Sequence, residues 1–401
     1  MPDVVFSGVA TGYWLLVGLV ALTGLAAGWL AVLLLVYPVR ATGIPAILPI
    51  QGVVPSRSAA FAAFAATHLL DGLSSPRRFF ELLGPDRFRR EFGRALKERL
   101  DEHVDDVMNR RNERSWAALS GYARNRIYAH VHRRLPYVVD DFVDHVQKDL
   151  DDIVQPAALV RRWFQNHPEQ TAQIFLTAFG PDLRALLPLA ALAGLLVGLP
   201  LARAVSEPWQ YMALFALAAL AGSALVLWRL TRPLAVSGVW PFRVHGVLHR
   251  QRSRFMQLLA TQVARDALAW PVVVGEFLRG AHAGRVRYMM RREVAGILDV
   301  PMFRASMQML LGPEGFAEVK SSAVEKAVEM LADTPVSAAL REHYRLEVAR
   351  TVEHAGMRLG PDTYAMFWRE MLASSWQVIL LTIMVAGAGL GWLTSWLMAL
   401  Y

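Results

Sequence analysis

The sequence predicts an all-α, polytopic membrane protein: four transmembrane helices and two cytosolic helical domains, arranged as a tandem pseudo-repeat. Three observations carry this reading. More than half of the 401 residues are apolar, and many of them gather into four long stretches without a charge. Arginines lie beside those stretches mainly on one side. Motifs at the end of the first stretch also return about half a chain later.

The charge-free stretches run from Val4 to Val39, Ala185 to Ala202, Pro208 to Trp228 and Met371 to Tyr401. Each supplies the roughly 18–20 apolar residues that cross a hydrocarbon core about 30 Å thick. The first is not expected to be a cleaved signal peptide, because Asp3 is the only charge before Arg40 and the run far exceeds an h-region. The chain therefore divides into a first span with a short outer N-terminus (1–39), a cytosolic helical domain (40–184) and a hairpin of spans two and three (185–230). A second cytosolic domain (231–370) and the fourth span (371–401) complete it.

Orientation follows from the flanking charges. Arg40, Arg184, Arg229, Arg232 and Arg369 belong to the two large polar segments, against Asp3, Arg203 and Glu207 on the other side. The positive-inside rule then places both large segments in the cytoplasm and both termini outside. The net charge of +8 rests on arginine, with Lys97, Lys148, Lys320 and Lys326 the only lysines. In a chain with four spans this suits the phospholipid bilayer and its anionic headgroups better than nucleic acid. The chain has no cysteine, which excludes disulfides, thiolate metal sites and thiol nucleophiles.

Similarity between the halves is read in order. Pro38 and Gly43 pair with Pro233 and Gly238. Gly52-Val53-Val54 pairs with Gly246-Val247-Leu248, and Phe61 with Phe255. In the second and fourth spans Ala193-Gly194-Leu195 matches Ala388-Gly389-Leu390. Spans one and three both run inward, so the copies share an orientation about an axis along the membrane normal.

Within the polar segments, apolar residues recur at helical spacing. Phe88, Phe92, Leu96, Leu100 and Val104 fall four apart, and Val139, Phe142, Val143 and Val146 keep the same rhythm. Helix starts are expected at Gly84-Pro85-Asp86, Gly180-Pro181-Asp182, Gly312-Pro313-Glu314 and Gly360-Pro361-Asp362. Glycine ends one helix, while proline and an acid suit the next one's first turn.

The strings Gly28-Trp29-Leu30-Ala31 through Tyr37-Pro38, and Pro49 through Gly52 and Pro55 to Arg57, resemble a bacterial inner-membrane family. This is the domain of unknown function four hundred and forty-five, typified by YjiN and YheB. Gly28 stands where that family usually has asparagine and Tyr37 where it has arginine, although the second copy keeps Arg232-Pro233 before Gly246. The resemblance implies an inner-membrane location and this architecture, with no assigned reaction.

Candidate sites fall into three groups. Small residues four apart occur in every span: Gly24 and Gly28, Gly194 and Gly198, Ala218 and Gly222, Gly387 and Gly391. Such pairs let helix backbones approach in lipid. A basic aromatic segment carries Arg77, Arg78, Phe79, Phe80, Arg87, Phe88, Arg89, Arg90, Phe92 and Arg94. It is expected either to lie at the headgroups or to be a bundle helix with solvated arginines. Acids and histidines cluster at Asp101 to Asp106 and Asp140 to Asp149. There Asp141 and His145 have the four-residue spacing of metal ligands, and Asp144 and Lys148 that of a surface pair.

No Asp, Glu, Lys, Arg or His lies within a span, which disfavours an ion-coupled carrier. Phosphate loops, dinucleotide fingerprints and hydrolase elbows are missing as well. The expected function is therefore non-enzymatic and without cofactor: cytosolic helical domains acting at the membrane surface on lipids or on protein partners, including a second copy. The alternatives are a lipid or apolar-solute path between the repeats, and a metal-dependent enzyme using the Asp and His clusters.

Overall fold

The computed structural model describes residues 2–40, 51–70, 73, 81–82, 84–149, 155–231, 246–280, 283–333, 337–373 and 375–399. Every regular element among them is helical. The first half holds α1 Pro2–Val36, α2 Val53–Ser56, α3 Ser58–Phe64, α4 Pro85–Glu98, α5 Leu100–Ala118, α6 Gly121–Asp149, α7 Pro156–Asn166, α8 Pro168–Ala185 and α9 Leu187–Leu201. The second holds α10 Pro208–Thr231, α11 Val247–Arg250, α12 Arg252–Gln262, α13 Trp270–Arg279, α14 Ala283–Leu298, α15 Pro301–Asp333, α16 Ala338–Arg358, α17 Pro361–Ala373 and α18 Trp376–Ala399.

Among the described residues four helical stretches are long and apolar enough to cross a membrane: Gly12–Val36, Pro168–Leu201, Pro208–Thr231 and Trp376–Met398. Each overlaps one of the four predicted spans, and only the third contains its prediction whole. The second is longer than expected, because α8 runs into α9 through Leu186, which keeps helical dihedrals. The pair α14 and α15, bent by 89°, meets the same criterion jointly. Arg285, Arg287, Arg291 and Arg292 on α14 would make that crossing costly.

The chain divides into two compact units. A span unit comprises Met1–His68, Arg161–Leu259 and Gly356–Tyr401, and a bundle unit comprises Leu69–Val160 and Ala260–Ala355. Each draws on both halves of the chain, so the segments 40–184 and 231–370 mix rather than closing separately. In the bundle unit Arg110 reaches Glu329 at 2.7 Å and Lys326 reaches Asp106 at 2.6 Å, joining the two segments.

In the span unit, α1 packs on α9 and α10, and α10 on α18. The small residues explain how closely. A Cβ added to Gly24 would come within 2.6 Å of the Ala190 carbonyl oxygen, and one on Gly222 within 2.5 Å of the Gly24 carbonyl. On α18, a Cβ at Gly391 would meet the Tyr211 carbonyl at 2.5 Å and one at Gly387 the Ala219 methyl at 2.7 Å. Gly28 lies against Ala190 and Val226, Gly198 against Val20, and Ala218 is buried. All eight positions singled out by spacing sit at helix contacts, where backbone approach replaces the water-driven burial that lipid cannot supply.

Three of the four Gly-Pro-acid signals start a helix. Gly84 and Gly312 take positive φ of 64° and 73°, Gly312 breaking α15 into two helices across a kink, and Gly360 precedes α17. At Gly180 the prediction fails, for α8 runs through Pro181 without a break. Within the span unit an aromatic core forms from both halves: Phe61, Phe175, Phe179, Phe255 and Trp368 are all buried. Tyr364 donates its hydroxyl to the Leu248 carbonyl at 3.0 Å.

Candidate functional site

At the exit of α1 the family-like residues make a tight turn. The Gly52 amide donates to the Pro38 carbonyl at 2.8 Å, and Gln51 donates to the Val39 carbonyl at 2.9 Å. A Cβ on Gly52 would fall 2.5 Å from the Val36 carbonyl carbon, so only glycine fits there. Pro55 is buried, Trp29 and Tyr37 are exposed, and Arg57 precedes α3. Gly246 repeats the arrangement before α11: its φ and ψ are −64° and 149°, against −58° and 149° at Gly52. Arg232 and Pro233 lie outside the described residues, as do Gly43 and Gly238.

The basic aromatic segment is half visible, since Arg77, Arg78, Phe79 and Phe80 lie outside the described residues. On α4, Phe88 and Phe92 are buried and stacked on each other, with ring centroids 5.2 Å apart. Phe92 adjoins Phe142, and Phe88 adjoins Trp270. The rings thus pack the bundle rather than facing outward. Arg90 and Arg94 are exposed, Arg87 is exposed and pairs with Glu91 at 3.4 Å, and Arg89 pairs with Asp144 and Asp140. What α4 offers outward is charge.

The acid and histidine clusters are tied up in separate contacts. His132 meets Asp101 at 2.8 Å, and Arg99 meets Glu102 at 3.1 Å. Asp105 accepts from Trp116 at 3.0 Å and from Tyr128 at 2.5 Å. Burial, with that carboxylate as partner, pushes the Tyr128 phenol up to about 12. His145 turns to the Asp141 backbone carbonyl at 2.6 Å and to Glu293 at 3.2 Å, not to the Asp141 carboxylate. Among the described residues no three His, Asp or Glu side chains converge as a metal site would need.

Sequence spacing missed what these contacts surround. In the bundle unit α4, α5, α6, α14 and α15 line a partly open cavity of about 160 Å³. Its walls are aliphatic, aromatic and methionine side chains, among them Leu96, Val131, Val139, Val294 and Met307. Three polar residues line it: His103, Glu293 and Lys326. The His103 Nδ1 atom is buried with no hydrogen-bond partner. Desolvation, with Lys326 and Arg99 nearby, holds its imidazole below the ordinary value. Burial pushes the Glu293 carboxyl above its ordinary value against the opposing pull of His145.

Fold and site define a class, an all-helical chain with four apolar helices of membrane-spanning length and an apolar cavity in a separate bundle. Compared with known proteins, the chain matches no family model, and no curated protein or solved structure is significantly similar to it.

Proposed function

We propose that this chain is a non-enzymatic, multi-pass bacterial inner-membrane protein whose cytosolic bundle works at the membrane surface, on lipids or partner proteins that organise the envelope. The observation that carries the reading is the outward charge of the bundle unit. Arg87, Arg90 and Arg94 on α4, with Arg287 and Arg291 on α14, leave their helices toward solvent while the aromatic residues of α4 fill the interior. A cation beside an anionic leaflet gains about 1 kcal/mol. Both termini lie outside on this reading, and the family resemblance at Gly28 to Arg57 points to the same membrane.

The tandem repeat is part of the proposal, supported by matching contacts. Gly194 lies against Val20, Ala21 and Gly24, and Gly387 against Phe215, Ala216 and Ala219. The second trio stands 195 residues after the first (215 less 20, 219 less 24), the interval separating Pro38 from Pro233. The Gly194 and Gly387 contacts correspond, whereas Gly389, the sequence match to Gly194, has open space. Gly24 touches both Gly194 and Gly222, which favours a packed scaffold over a solute path between the copies at that level.

Hydrogen exchange of the full chain in nanodiscs tests the surface contact. In anionic nanodiscs the peptide covering 85–98 is expected to exchange more slowly than in zwitterionic ones. Changing Arg87, Arg90 and Arg94 together to glutamine should remove the difference. Equal exchange in both bilayers contradicts the proposal.

A further inference from the structure

Resting on the surface reading above, we infer that the bundle cavity binds a single unbranched acyl chain, with its oxygen-bearing head at His103 and Lys326. An aliphatic cavity of about 150 Å³ stays dry and admits benzene. The roughly 160 Å³ here therefore accepts a six-carbon apolar segment without rearrangement. Met108, Met290, Met307 and Met330 in the wall can yield to a longer chain, because an unbranched thioether side chain repacks readily.

The chemistry of the wall selects the ligand. Among the described residues no Ser, Thr, Asn, Gln, Tyr or Trp lines the cavity. A nucleotide, sugar or peptide would leave its polar groups unpaired there, whereas a methylene chain leaves none. The hydrogen-bonding capacity lies instead at His103, whose buried Nδ1 is unsatisfied, and at Lys326 beside it. A buried unpaired ring nitrogen is costly until a partner arrives. A carboxylate or ester oxygen on the chain would supply that partner, and Lys326, hydrogen-bonded to Asp106 at 2.6 Å, would add its charge. A carboxylate head means a free fatty acid; an ester head means a monoacyl phospholipid.

The test uses the full chain in nanodiscs with two probes, palmitate and a lysophosphatidylcholine, each carrying a mid-chain diazirine. After irradiation, peptides are mapped for adducts. Adducts are expected on peptides covering 127–142 and 290–307, besides those on the spans. Excess palmitate should reduce the cavity adducts, and Val294→Trp or Val131→Trp, which fill the space, should remove them while span adducts persist as an internal control. Lys326→Gln should lower palmitate labelling of the cavity about tenfold, the loss of one charged hydrogen bond. If only the lysophospholipid labels the cavity, the acyl site stands with the ester as its source. Wild-type adducts of both probes confined to the spans, or cavity adducts unchanged in both filled variants, overturn the inference. Hydrogen exchange of 85–98 is read separately, so failure of the surface contact and failure of the acyl site are distinguishable.

Discussion

Phe61 and Phe255 meet edge to face in the span unit, with ring centroids 6.0 Å apart and planes at 84°. Each lies four residues beyond the residue that precedes its helix, Arg57 for one and Gln251 for the other. Each also contacts other rings, Phe61 with Phe164 and Phe255 with Phe179 and Trp368. On the proposed repeat these two rings are sequence counterparts, and they meet in space. Truncating either ring to alanine should destabilise the chain by about 3–5 kcal/mol. A double-mutant cycle should show coupling of about 0.5–1.5 kcal/mol. Detergent-denaturation midpoints of the two single variants and the double variant measure both quantities, and zero coupling would mean that the rings merely share a core.

Small residues at the span contacts predict a sharp positional pattern. Gly222→Ala and Gly391→Ala each force a methyl to within 2.5 Å of a backbone oxygen. Overpacking of this kind costs about 1–3 kcal/mol. Gly18→Ala and Gly389→Ala meet nothing within 4 Å and should be neutral or slightly stabilising. Thermal unfolding of the four variants in one detergent separates the two classes; equal effects would argue against the packing.

Glu293 gives a pH dependence with a definite sign. Its folded carboxyl holds a proton more tightly than the unfolded chain does, because burial disfavours the charge while His145 only partly offsets it. That contribution is present at low pH and is lost as pH rises from the ordinary carboxylate range to the raised folded value. Glu293→Gln should remove the slope, so the variant gains on the wild type as pH increases. Denaturation midpoints across an acid-to-neutral series would show a widening gap, and parallel curves would contradict the burial argument.

Arg252 ties α12 to the end of α16. Its Nη2 donates to the carbonyls of Gly356 at 2.9 Å and Leu359 at 2.5 Å, and its guanidinium lies 5.2 Å from the Tyr364 ring centroid. Hydrogen bonds from a charged group contribute about 1.5–3 kcal/mol. Arg252→Ala should speed amide exchange at residues 352–360 and leave α4 unchanged. Uniform loss of protection instead would show a global rather than a local role.

The four apolar helices of membrane-spanning length were legible because their signature is coarse: absent charge over a fixed length, and small residues at fixed spacing. The helices of the polar segments were legible from their periodicity, as the buried Phe88, Phe92 and Leu96 show. Which way that apolar face turns is a different question. A stripe built for a headgroup layer and one built for a bundle look alike until partners such as Phe142 and Trp270 are in place. The cavity was not legible, since it is assembled from helices up to some two hundred residues apart and no local spacing marks a void. His103 and Glu293 read as ordinary members of polar runs; only burial sets them apart. At Gly180 the local helix-start signal was overridden by the continuous packing of α8, where Phe175, Phe179 and Leu183 are all buried.

The membrane topology tests the central claim most directly, and the absence of cysteine makes the experiment clean. Single cysteines would be placed at Asp3→Cys and Ala204→Cys on the proposed outer side, and at Glu113→Cys and Arg287→Cys on the bundle. Labelling with a membrane-impermeant maleimide would be compared in spheroplasts and in permeabilised membranes. The account predicts that positions 3 and 204 label from outside and that 113 and 287 label only after permeabilisation. Labelling of 113 and 287 in intact spheroplasts would contradict it.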